Sequence, residues 1–123
     1  MKKKFLPSLA ILGFASLFIP TAHSQEKVAV LSTQEFITSC KSPPNAESRS
    51  FCLGYATGLY DTYLATRHPN MAKPFICVKQ PGPTRDAVIG DFIKWVDAKP
   101  ALLSSPAADS VLRFLAERFP CPA

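Results

Sequence analysis

The chain has 123 residues, 47% of them hydrophobic, and a formal charge of +5. That length supports one domain with a thin single core and excludes a large multidomain enzyme. The charge does not signal a nucleic-acid partner, because three of its lysines, Lys2, Lys3 and Lys4, open the chain ahead of an uncharged apolar run from Leu9 to Ile19.

That run has 11 residues, fewer than the roughly 18 needed to cross a bilayer. Pro20 ends it, and Ala22-His23-Ser24 places small residues where a signal peptidase reads them, so residues 1–24 are expected to be a cleaved export leader. The mature domain, 25–123, then carries 11 basic and 9 acidic side chains. It is expected to be soluble in the periplasm and not held at a membrane.

All four cysteines, Cys40, Cys52, Cys77 and Cys121, fall in the mature part, and export carries them to an oxidising compartment. An even count there reads as two disulfides, with three pairings open. The preferred pairing is Cys40 with Cys52 and Cys77 with Cys121, because each bond would tie the end of one helix to an end of another.

In chain order, Ser32-Thr33-Gln34-Glu35 has the hydroxyl and the following Glu of a capping box, and predicts a short helix ending near Cys40. The prolines of Lys41-Ser42-Pro43-Pro44-Asn45 predict a loop. From Ala46 to His68 the periodicity predicts a long helix, with Phe51, Tyr55, Leu59 and Tyr63 on one line and Leu53, Ala56, Tyr60 and Leu64 on a second. Apolar on two sides, it is expected to be central. Gly54 and Gly58 lie inside it, where glycine costs about 1 kcal/mol relative to alanine. The expected compensation is close packing of another helix against the Gly54, Tyr55, Gly58 and Asp61 region. Asp61 itself reads either as a solvated acid or as a buried acceptor.

Pro69 to Pro83 holds four prolines and one glycine, which excludes a continuous helix and predicts an ordered loop pinned by Cys77. Thr84 is an N-cap for a third helix to about Ala98, with Val88, Phe92, Trp95 and Val96 on its apolar face. Ser105-Pro106 predicts the start of a fourth, with Val111, Leu112, Leu115 and Phe119 as its stripe. The fold expected is therefore all-α, a small four-helix domain with two disulfides.

Little in this inventory can carry chemistry. The mature chain has one histidine, His68, at a helix end where a cation is ordinary. Thiols locked as disulfides are not nucleophiles. There is no Cys-x-x-Cys pair, Gly-x-Ser-x-Gly elbow or dinucleotide fingerprint. No catalytic residue, metal or cofactor is expected.

The run Cys52-Leu53-Gly54-Tyr55-Ala56-Thr57-Gly58-Leu59-Tyr60-Asp61, the cysteine loop ending in a threonine cap, and the terminal Phe119-Pro120-Cys121 resemble the Rap/Tai family of type VI secretion immunity proteins. The resemblance spans Glu35 to Cys121; the segment Cys77 to Asp86 is longer and richer in proline than the family pattern. It implies a periplasmic homodimer that binds a peptidoglycan amidase effector and occludes its catalytic groove. For that role the polar and aromatic stretch from Arg67 to Phe75 is the candidate contact loop, with Arg67, His68, Asn70, Lys73 and Phe75 facing the partner; the competing reading is a solvated connector. An alternative function is a small periplasmic acid-stress chaperone of the HdeA type, which would open as its carboxylates protonate.

Overall fold

The computed structural model describes residues 29–67 and 72–123. The expected leader over 1–24 lies outside these, as do His68 and Asn70.

The described residues form four α-helices: α1 (Thr33–Cys40), α2 (Glu47–Arg67), α3 (Arg85–Asp97) and α4 (Ala107–Arg118). The expected capping box starts α1. The Ser32 hydroxyl accepts from the Glu35 amide at 3.2 Å, and the Glu35 carboxylate accepts from the Ser32 amide at 2.9 Å. Thr84 caps α3 in the same way, accepting from the Ala87 amide at 3.2 Å.

The start of α4 departs from expectation. The Ser105 hydroxyl does not cap it; Pro106 occupies the cap position and supplies no side-chain bond. A 3-10 helix, Pro100–Ser104, which the sequence reading did not resolve, leads into it. Two helix starts instead satisfy each other. The Ser105 carbonyl accepts from the Thr33 amide at 2.8 Å and from the Thr33 hydroxyl at 2.9 Å, while the Leu31 carbonyl accepts from the Ala107 amide at 2.8 Å. Orphan amide donors at both N-termini are thereby paired with backbone acceptors.

The core gathers Phe36, Ile37, Phe92, Val96, Val111 and Phe114 from α1, α3 and α4. Phe92 is its hub, with ring centroids 5.7 Å from Phe36 and 5.4 Å from Phe114. Burying each such ring stabilises by about 1.5–3 kcal/mol. Ile89 and Phe114 belong to this core although neither was on the expected stripes.

Both cysteine pairs are bonded as preferred: Cys40 to Cys52, joining the end of α1 to α2, and Cys77 to Cys121, joining the loop to the tail after α4. By chain-entropy reasoning these closures contribute about 3 and about 4 kcal/mol.

The long helix α2 touches α1, α3 and α4, yet it is not enclosed. Only Cys52 and Tyr63 are buried along it, and Phe51 and Leu64 are 47% and 41% exposed. The expected packing against Gly54 and Gly58 is absent among the described residues: both glycines are exposed, and a Cβ built on either meets nothing within 4 Å. Neighbouring helices instead pack on the Cys52–Leu53–Ala56 side, leaving the glycine side to solvent.

Candidate partner-binding surface

The surface is built from the end of α2 upward. Tyr63 is the one residue of its apolar line that is buried, 6% exposed. Its ring is met edge-on by Phe75 at 4.6 Å and stacks with Tyr60 at 6.1 Å. Its hydroxyl oxygen accepts three hydrogen bonds, from the Phe75 amide at 3.0 Å, the Ile76 amide at 3.1 Å and the Arg67 guanidinium at 3.0 Å. Burial pushes the Tyr63 phenol up, but the Arg67 guanidinium and the two amides outweigh it and hold it below the ordinary tyrosine value. One residue further, the Cys77 amide donates to the Phe119 carbonyl at 2.8 Å, and its sulfur is bonded to Cys121. The segment 72–77 therefore leaves α2 as a fixed edge.

Of the five residues expected to face a partner, Lys73 and Phe75 lie on this edge and are exposed, Phe75 by 48%. Arg67 does not reach outward as expected. It is half-buried, with its guanidinium turned onto the Tyr63 hydroxyl and 5.3 Å from the ring centroid. The periodicity that marked Tyr63 as a core residue carried no sign that its oxygen would serve the loop. A shallow groove beside the edge is lined by Leu59, Thr66, Arg67, Phe75 and Leu112.

Two other features complete the surface. A half-open apolar cleft of about 350 Å³ separates α2 from α3 and α4, its floor made by Phe92, Val111 and Phe114 and its rim by Tyr60, Asp61 and Arg85. Asp61 is a solvated acid, not a buried acceptor. Tyr55 is half-buried against Phe36 at 4.9 Å and so braces α2 on α1. Arg49, which the sequence reading passed over, reaches from α2 to the Cys40 carbonyl and to Asp86 at 2.7 Å, joining three helices.

Among the described residues no group of three or more His, Cys, Asp or Glu side chains could hold a metal. No described helix is long and apolar enough to cross a membrane. What this arrangement can do is present a stiff edge, an exposed aromatic and apolar recesses to another molecule. It is a small disulfide-bonded helical binding domain. The family model for Rap1a immunity proteins matches residues 32–121, and the chain belongs to that family, which is one of immunity proteins for secreted effectors and not of enzymes. No curated protein and no solved structure was found to match the chain.

Proposed function

We propose that this protein neutralises a peptidoglycan amidase delivered by type VI secretion, acting in the periplasm after export by its leader. It works as a homodimer, and the edge carrying Lys73 and Phe75 enters the amidase's catalytic groove. The observation that carries this reading is the match to the immunity family over 32–121. It is supported by the Cys77–Cys121 bond and the Tyr63 hydrogen bonds, which stiffen the segment that would face the enzyme. A pre-ordered edge loses less entropy on binding than a free loop. An exposed aromatic beside a groove is the kind of anchor on which binding energy concentrates.

The test is protection. A peptidoglycan amidase effector of type VI secretion is directed to the periplasm of a susceptible cell, with and without the full chain. Survival and intact cell wall are expected only with the chain, and only when its leader is present. Lysis despite abundant exported protein would defeat the proposal.

A further inference from the structure

We infer that Tyr63 is the positioning residue of the partner-facing edge: its single hydroxyl oxygen sets the backbone of Phe75 and Ile76 and thereby the pose in which the Phe75 ring is exposed. This rests on the reading of that edge as the amidase contact.

The geometry is specific. The segment from Ala72 to Gln80 is neither helix nor strand, so its amides need acceptors from elsewhere. Ile76 is buried at 3% exposure and its amide finds the Tyr63 oxygen at 3.1 Å, with the Phe75 amide beside it at 3.0 Å. Two consecutive amides aimed at one atom define the direction of the chain there, which neither bond alone would do. The ring of the same residue meets Phe75 edge-on at 4.6 Å, so one side chain fixes both the backbone and the side-chain orientation of the exposed aromatic. Arg67 donates to the same oxygen at 3.0 Å, so α2 and the edge meet at one atom. The disulfide at Cys77 anchors the edge from the other side. Without the hydroxyl, the Phe75 amide loses its acceptor and only the ring contact joins Phe75 to α2.

Tyr63→Phe in the full mature chain removes only the oxygen and keeps the ring. Amide exchange at Phe75 and Ile76 should rise about tenfold while amides in α1, α3 and α4 stay unchanged, as expected for losing one hydrogen bond per amide. Unchanged exchange at those two amides, or an equal rise throughout the molecule, would overturn the inference.

Binding kinetics against a purified peptidoglycan amidase effector of type VI secretion supply the second readout. A lost pose lowers the competent fraction, so association should slow about tenfold with dissociation unchanged. Phe75→Ala, which removes a contact, should speed dissociation instead. If exchange rises in Tyr63→Phe but both rate constants match the parent chain, Tyr63 has no positioning role in binding. If the parent chain does not bind that amidase, the immunity reading fails, and amide exchange alone judges Tyr63.

Discussion

The buried pair Thr33 and Ser110 shows how one hydroxyl can hold two helices. Thr33 is fully buried, and its one hydroxyl proton goes to the Ser105 carbonyl at 2.9 Å. The 2.7 Å contact with the equally buried Ser110 hydroxyl must then have Ser110 as donor. Thr33→Val keeps the shape but leaves the Ser110 donor and one acceptor site of Ser105 without a partner. Buried polar groups so stranded cost about 1–3 kcal/mol. A urea titration should show a lower midpoint with an unchanged slope, and a midpoint equal to the parent's would mean that the pair contributes nothing. Substituting both, as Thr33→Val with Ser110→Ala, should recover part of the loss. The sequence could not announce this pair. Thr33 stood in the capping box as a helix-start residue, and its partners lie more than 70 positions away.

At the scale of the element, α2 was the plainest feature of the sequence and also the one most misjudged. Its extent followed from two apolar lines of period near four, and the structure has it from Glu47 to Arg67. The caps of α1 and α3 were legible because capping is local chemistry. What periodicity could not say is which neighbours exist to cover each line. With only three shorter α-helices beside it among the described residues, there are too few to enclose a 21-residue helix, so Phe51 and Leu64 remain partly in water. The same shortage leaves Gly54 and Gly58 bare. Nothing then offsets their helix-breaking entropy, and there is room for a methyl group at each. Gly54→Ala and Gly58→Ala should each raise the stability of the chain by about 0.5–1 kcal/mol, read as a higher urea midpoint. A lowered midpoint, or a weakened dimer in sedimentation, would mean that the glycine face is covered by a second copy in solution. The presence of two disulfides was legible from the even cysteine count, but their pairing stood only as a preference among three, because which cysteines come within bonding distance is fixed by the fold. The edge proposed to meet a partner was half legible. Lys73 and Phe75 could be picked out as exposed chemistry, but the inward turn of Arg67 depends on an oxygen whose role appears only when the loop is folded back on α2.

For the whole molecule, the remaining contrast is between a stiff binder and a protein that opens in acid. Linkage decides it through the groups whose affinity for protons changes on folding. Among the described residues Glu35 and Glu117 show such a change. The Ser32 hydroxyl, followed by its backbone amide, holds Glu35 below the usual value, and the Trp95 indole N–H, followed by Lys99, does the same for Glu117. In both cases the folded state prefers the ionised form. Their contribution is therefore fully present above the ordinary value of 4.5 and is lost as pH falls through their lower folded values. Both side chains are solvent-exposed, which makes that loss small. Neither carboxylate lies in the core of Phe36, Phe92 and Phe114, and the two disulfides do not titrate. The helical circular dichroism signal should therefore be constant from neutrality to about pH 4.5 and persist below it, with only a modest drop in urea midpoint. Glu35→Gln and Glu117→Gln together should flatten that drop. An acid-activated chaperone would lose its helical signal cooperatively and bind an apolar dye over the same range. If the full chain did so, the exposed Phe75 edge would be the smaller part of an apolar surface that acid uncovers, and the picture of a preformed docking edge would be lost with it.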